Sequence, residues 1–153
     1  KVHKYKHFGP IAYLMGSLAG LFSFKNFEST ILVNNSKIKS KILMALVGLG
    51  KYSGGGMQLT ENVDPFDGLF DISIAKDIGK LDILTNLNKL FNGKIVKHKK
   101  VDTAKSHEIS ISFQKDNFPF IQADGELVGK GNIKISIVRK AFSFYGIWYI
   151  WKK

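Results

Sequence analysis

The chain has 153 residues, with 23 lysines and arginines against 12 aspartates and glutamates, and it has no cysteine. This length accommodates one domain with a hydrophobic core and excludes two large ones, and a 44% share of hydrophobic residues excludes wholesale disorder. The lack of cysteine excludes disulfides, thiolate zinc sites and cysteine nucleophiles. The formal net charge of +11 predicts an anionic partner: nucleic acid, a phosphorylated ligand or an acidic membrane surface.

The amino-terminal segment lacks the architecture of a signal peptide. Because it begins with Lys1 and not with methionine, we expect the chain to be part of a longer protein. Apolar residues at helical spacing predict a helix from Ile11 to Phe22, after Pro10. A short membrane span is the alternative, but the uncharged stretch from Phe8 to Phe24 is shorter than the roughly 20 residues that a span requires, which favours a buried helix.

Two strands joined by a turn are predicted next. Thr30 to Val33 is rich in β-branched residues, and Asn34-Asn35 is a typical turn pair. Ile42 to Val47 is a continuous apolar run, so we expect a buried strand there.

The middle of the chain predicts a strand and then a helix. From Phe70 to Ile74 apolar residues alternate with Asp71 and Ser73, which is typical of a half-buried strand. Leucines and a phenylalanine at helical spacing follow, and the pattern ends at Asn92-Gly93, where a left-handed cap is favourable. One face of this predicted helix carries Leu81, Leu84, Leu87 and Phe91.

The last third of the chain has the alternation of strands. It is seen from Ile109 to Phe113 and from Ile133 to Ile137, with Phe118, Phe120 and Ile121 between them. We therefore predict a mainly β (α+β) fold: one domain over residues 1–153, built as an antiparallel two-layer β-sandwich with about two helices. The aromatic tail from Phe142 to Trp151 would dock on another domain or lie at a lipid interface.

Nucleotide-binding and zinc motifs are missing from the sequence. The glycine-rich stretch VGLGKYSGGG fits neither the Walker pattern nor the dinucleotide-binding pattern. The four histidines are scattered, and His3 and His7 lack an obvious third ligand, so a zinc site is not expected. The basic run from Lys94 to Lys100 is a solvated face or a phosphate-attracting one, and it has no interleaved aromatics, which argues against nucleic acid.

Two acidic clusters are candidates for chemistry. Glu61, Asp64, Asp67 and Asp71 follow three consecutive glycines, and Asp67-Gly68 is a tight turn that would suit either a magnesium or calcium site or a solvated Asx turn. Asp124-Gly125-Glu126 is either a hairpin turn or the site of a carboxylate acting as a general base. The residue pattern alone leaves both pairs of alternatives open.

The order of these segments resembles a known family. GGGMQLTENVDPFDGLFDISI, a helix ending in LFNGKIVKHKKV, and IQADGE together resemble the carboxyl-terminal domain of the bacterial diacylglycerol kinase and lipid kinase family, which includes sphingosine kinases. The amino-terminal FGPIAYLMGSLAGL is similar to the helix that opens that domain. The resemblance covers about Lys6 to Phe144 and implies a β-sandwich that supplies the lipid pocket, beside a separate ATP-binding domain that this chain lacks.

The resemblance also implies roles for individual residues. Asp64, the carboxylate of Asp67 and the backbone carbonyl of Leu69 would hold a structural Mg²⁺ ion. Glu126 would accept the proton of the lipid hydroxyl as that oxygen attacks the γ-phosphate of ATP, and Asp124 would help to link Glu126 to the metal. No substrate-contacting residues can be named from the resemblance.

The resemblance therefore predicts the second domain of an ATP-dependent lipid kinase that converts diacylglycerol to phosphatidic acid. The implied cofactor is Mg²⁺, with ATP as the co-substrate. The implied partners are the lipid, the ATP-binding domain of the same protein and the anionic inner face of the cytoplasmic membrane; nucleic acid is not expected, and a homo-oligomer is left open. Residues 1–153 alone are predicted to be inactive. A non-enzymatic module that binds anionic lipid through its basic face is the alternative.

Overall fold

The structure is a computed structural model that describes residues 20, 25–53, 56–61, 63–114, 117–139 and 141. The predicted helix from Ile11 to Phe22, apart from Gly20, and the aromatic tail from Phe142 to Trp151 lie outside the described residues. Within the part that is described, no helix has the length and apolar character needed to cross a membrane.

The described residues form eight antiparallel strands in two sheets. Their bounds are β1 Phe27–Val33, β2 Ser36–Gly48, β3 Phe70–Lys76, β4 Val101–Ser106, β5 Glu108–Phe113, β6 Phe120–Ala123, β7 Glu126–Lys130 and β8 Ile133–Ser136. Six strands form one sheet in the order β4-β3-β2-β1-β5-β8, and β6 pairs with β7 in a second sheet. The helix α1 (Lys80–Phe91) and a short 3₁₀ helix (Lys94–Lys97) connect β3 to β4. The prediction of a mainly β antiparallel fold is confirmed, and the arrangement is consistent with a β-sandwich.

The hairpin of β1 and β2 forms at the predicted turn. Asn34 and Asn35 have φ angles of 48° and 61°, and Val33 pairs with Ser36. Asparagine tolerates this left-handed conformation, and two such residues in a row match the twist of the flanking strands. The expectation that Ile42 to Val47 is buried throughout is wrong, because strand residues alternate between faces and Met44 is 45% exposed.

The hydrophobic core lies on one face of the six-stranded sheet. Its members are inward-pointing β-branched residues from β1, β2, β3 and β5, namely Ile31, Val33, Ile42, Ile72, Ile74, Ile109 and Ile111. Isoleucine and valine suit strands because their stiff branched side chains pack well on a pleated surface.

The strand β3 is buried on both faces, although its alternating pattern predicts only one buried face. Asp71 and Ser73 on the polar face are 4% and 6% exposed. The Ser73 hydroxyl donates a hydrogen bond of 2.6 Å to the carbonyl of Leu59, so the segment before β3 folds back over it. The amide of Gln58 donates to the carbonyl of Leu90 at 2.7 Å, which ties the same segment to the end of α1.

The helix α1 is confirmed, and most of its apolar face is exposed. Leu81, Leu84 and Phe91 are 77%, 41% and 52% exposed, whereas Asn86 is buried. The Asn86 side-chain amide donates to the carbonyl of Asp82 at 2.7 Å. Burial of this polar side chain is tolerated because its amide finds a partner on the preceding turn of its own helix.

Candidate cation and proton-transfer site

The loop from Asp64 to Leu69 is built on two successive Asx turns. The Asp64 Oδ1 atom accepts a hydrogen bond from the amide of Phe66 at 2.9 Å. The Asp67 Oδ1 atom accepts one from the amide of Leu69 at 2.8 Å. Short side-chain carboxylates stabilise turns in this way because they imitate the backbone carbonyl of a β-turn. Each predicted metal-binding aspartate is therefore bonded to the backbone of its own loop.

Lys105 joins this loop to the sheet. The register of β3 and β4 places Lys105 opposite Asp71. The Lys105 Nζ atom lies 2.7 Å from Asp67 Oδ2 and 3.5 Å from Asp71 Oδ2, and the Asp71 side chain is only 5% exposed. One ammonium group thus contacts a loop carboxylate and a buried strand carboxylate.

The electrostatics of this contact favour the ionised form of both partners. The hydrogen bond from Lys105 is the main reason that the pKa of Asp67 lies below its usual 3.8, with the amide of Leu69 and the charge of Arg139 acting in the same direction. The hydrogen bond to Asp67 is the main reason that the pKa of Lys105 is raised above its usual 10.5. Each shift means that the partner's charge stabilises the ionised form of the group.

Arg139 lies against the same loop. A Cβ atom added to Gly68 would come within 3.0 Å of the Arg139 Nε and Nη2 atoms, and Gly68 has a φ of +73°. Glycine therefore fits this position for two reasons, the left-handed backbone and the close guanidinium group. The acidic loop has two basic side chains, Lys105 and Arg139, close to it.

A shallow cleft of about 220 Å³ opens beside Lys105, and its lining residues are Glu61, Asp71, Ile72, Thr103, Ala104 and Lys105. Glu61 reaches it from the segment before β3, and its Oε2 atom accepts a hydrogen bond from the Thr103 hydroxyl at 3.3 Å. A second cleft, of about 270 Å³, shares Glu61 and has Lys94 and Lys97 in its lining. Glu61 is thus common to both clefts, and each cleft has at least one lysine in its lining.

As arranged, the predicted ligands do not fit a divalent cation. One oxygen of Asp64 accepts a backbone hydrogen bond, and both oxygens of Asp67 are engaged, one by Leu69 and the other by Lys105. In the described ranges no three histidine, aspartate or glutamate side chains gather as metal ligands. Mg²⁺ prefers octahedral coordination by oxygen, and an ion at Asp67 Oδ2 would compete with the Lys105 ammonium group, which already contacts this atom at 2.7 Å.

Asp124 and Glu126 lie on the second sheet. Asp124 and Gly125 have φ angles of 48° and 93° and form the two-residue turn between β6 and β7, with Ala123 paired to Glu126. Both carboxylates are exposed, and among the described residues neither has a hydrogen-bond or ion-pair partner. No hydrogen bond between described residues joins them to Asp64 or Asp67, so their predicted link to a metal remains a prediction.

The residue patterns did not single out Lys105 and Arg139. Lys105 lies in VDTAKS, which lacks the apolar alternation of a strand, and its partner Asp67 is 38 residues away. The one available signal was compositional: a cluster of four carboxylates in a strongly basic chain requires nearby cations.

Three comparisons with known proteins show what the chain is similar to. The family described as "YegS C-terminal NAD kinase beta sandwich-like domain" matches the chain over residues 2–145. A curated protein of Shewanella frigidimarina (strain NCIMB 400), named "Probable lipid kinase YegS-like", is 25% identical over 142 residues, which cover 87% of this chain and 42% of that protein.

Solved structures share the fold. A "putative diacylglycerol kinase" of Bacillus anthracis strain Sterne aligns with a TM-score of 0.58 and 20% identity, over 81% of this chain and 43% of that one. A diacylglycerol kinase structure from the same strain aligns with a TM-score of 0.52 and 20% identity, over 78% and 43% of the two chains. The chain spans less than half the length of each of these relatives.

Proposed function

The chain belongs to the family of the YegS C-terminal NAD kinase beta sandwich-like domain, and from this premise we propose that it is the lipid-binding half of an ATP-dependent lipid kinase. The observation that carries the proposal is the family match over residues 2–145, nearly the whole chain. The proposed substrate is diacylglycerol, the product is phosphatidic acid, and ATP is bound mainly by a separate domain.

Glu126 is the proposed proton acceptor. As the lipid hydroxyl oxygen bonds to the γ-phosphorus of ATP, the bond from that phosphorus to the β,γ-bridging oxygen breaks, and ADP leaves. The hydroxyl proton passes to the Glu126 carboxylate. The exposure of Glu126 and its lack of a described partner support this role, because a proton acceptor must be able to reach the substrate.

The proposal assigns no chemical role to Asp64, Asp67 and Leu69. Their loop lies at the start of β3, next to the cleft lined by Glu61 and Lys105. Phosphoryl transfer depends mostly on positioning and on stabilising charge. Lys94 and Lys97, in the lining of the second cleft, would favour the approach of anionic groups there.

Transfer of radiolabelled phosphate from ATP to diacylglycerol in mixed micelles tests the proposal. The complete protein that contains these residues is expected to form phosphatidic acid, and residues 1–153 alone are expected to form none because ATP would lack its main site. Failure of the complete protein to phosphorylate any of diacylglycerol, sphingoid base or phosphatidylglycerol would refute the kinase assignment. Turnover by residues 1–153 alone would refute the proposal that ATP is bound mainly by a separate domain.

A non-enzymatic role at anionic membranes is the second candidate, and the outward face of the main sheet favours it. Lys37 and Lys39 project from alternate positions of β2, are exposed, and have no carboxylate partner among the described residues. Each lysine near an anionic bilayer contributes about 1 kcal/mol of attraction. In the basic run from Lys94 to Lys100, Lys100 is a poor candidate for membrane contact because its ammonium group is paired with Asp82 at 2.6 Å.

Vesicle co-sedimentation distinguishes this role. Phosphatidylserine-containing vesicles should bind the chain at low salt, and a double Lys37→Glu, Lys39→Glu variant should lose binding. A double Lys80→Glu, Lys89→Glu variant, with both exposed positions on α1, serves as the charge-matched control. Equal loss in the control would mean that binding follows net charge and not this face.

A further inference from the structure

We infer that Lys105 is the built-in cation of the acidic loop: its ammonium group, and not a divalent metal ion, links Asp67 to the buried Asp71 and fixes the loop at the start of β3. Lys105 is then a positioning residue, which acts through the two carboxylates that it contacts. The inference concerns the folding of the loop and stands whichever lipid, if any, the protein phosphorylates.

The need for a cation comes from Asp71. Its side chain is only 5% exposed, and an ionised carboxylate removed from water requires a nearby opposite charge or several hydrogen bonds. Among the described lysines and arginines, Lys105 alone lies within 4 Å of it. The strand register fixes this pairing, because Asp71 and Lys105 are direct partners on neighbouring strands.

The loop uses the same cation. Asp67 Oδ1 caps the amide of Leu69 while Oδ2 receives the Lys105 ammonium at 2.7 Å. One oxygen of this carboxylate thus binds the loop backbone and the other binds a side chain of the sheet, which holds the loop against the sheet. The chain from Asp67 to Phe70 is short, so fixing Asp67 also fixes the point at which β3 begins.

A divalent ion bound to Asp67 Oδ2 would have to displace the Lys105 ammonium group. Mg²⁺ gives up its water ligands reluctantly, whereas the ammonium group is delivered by the same chain at a fixed position. Arg139 lies close to Gly68 and adds a second positive charge at the loop. A metal ion beside Asp67 would therefore face repulsion from both basic side chains as well as the loss of its hydration.

A matched pair of variants tests the inference. Lys105→Met removes the ammonium group; Lys100→Met is the control, because Lys100 is also 33% exposed and lies 2.6 Å from a single carboxylate, that of Asp82. The melting temperature of each protein is measured in EDTA and in millimolar MgCl₂, and MnCl₂ is titrated into each by calorimetry.

The wild type is expected to melt at the same temperature in EDTA and in MgCl₂ and to give no saturable heat with MnCl₂. Lys105→Met is expected to melt several degrees lower than Lys100→Met, because it leaves the buried Asp71 without a counter-charge. Lys105→Arg, which keeps the charge, should recover most of the loss.

Two results would overturn the inference. One is a melting temperature of the wild type that rises in MgCl₂, with saturable MnCl₂ binding that disappears in Asp67→Asn. The other is a Lys105→Met protein as stable as Lys100→Met. If Lys105→Met fails to fold, the wild-type metal titration and the Lys105→Arg variant still decide the question. Neither readout depends on kinase activity, so the outcome is separate from that of the proposed function.

Discussion

Ser73→Ala should destabilise the packing of the segment before β3 against the polar face of the sheet. The Ser73 hydroxyl donates at 2.6 Å to the carbonyl of Leu59, and the two residues are 6% and 7% exposed. Removing the donor leaves a buried carbonyl without this partner, which costs about 1 to 3 kcal/mol. At about 2 kcal/mol, the melting temperature of a domain of this size falls by about 4 to 8 °C.

The assay is urea unfolding followed by circular dichroism, with thermal melting as a second readout. Ser112→Ala is the matched control, since Ser112 is an exposed strand residue on β5 that makes no side-chain hydrogen bond to a described residue. Its effect should stay within about 0.5 kcal/mol. If Ser73→Ala proves as mild as this control, the hydrogen bond does not anchor the segment, and the account of the buried polar face is wrong.

Two further predictions concern glycine conformation and pH. Gly93→Ala should lower the free energy of unfolding by about 1 to 2 kcal/mol, because Gly93 has a φ of +71° and a Cβ atom there would lie 2.8 Å from the Gln58 amide group. Gly125 also has a positive φ, but a Cβ atom there would have no neighbouring atom within 4 Å. Gly125→Ala should therefore lower the free energy of unfolding by less in the same urea assay. Because Lys105 lowers the folded-state pKa of Asp67 below 3.8, the contribution of Asp67 to stability is present above the unfolded-state pKa and is lost as pH falls through the folded-state value. Urea midpoints measured across this acid range should therefore fall more steeply in the wild type than in Asp67→Asn; equal slopes would contradict the prediction.

Local signals in the sequence were sufficient for two hairpin turns and for the helix α1. Asn34-Asn35 and Asp124-Gly125 adopt the left-handed conformations that two-residue hairpins require, and these residue types take them at low cost. The helix ends where Asn92-Gly93 predicts. In each case the physical cause lies within a few residues of the feature, so a single sequence reveals it.

Features that depend on distant parts of the chain could not be predicted. The pattern of β3 does not indicate that a segment ending near Thr60 covers Asp71 and Ser73. The alternation that defines a strand is missing from β4, which forms because β3 offers it a partner edge. Lys105 lies on another strand, 38 residues from Asp67, so the local sequence does not predict that it contacts the loop.

The most direct test of the central claim is phosphate transfer from ATP to diacylglycerol by the complete protein carrying Glu126→Gln. We predict a loss of turnover of about 10²- to 10⁴-fold, because glutamine cannot accept the hydroxyl proton. Glu108→Gln, which removes a carboxylate paired with Lys134 at 3.0 Å, should leave turnover near the wild-type value. Wild-type turnover in Glu126→Gln, with phosphatidic acid confirmed as the product, would contradict the assignment of Glu126 as the proton acceptor.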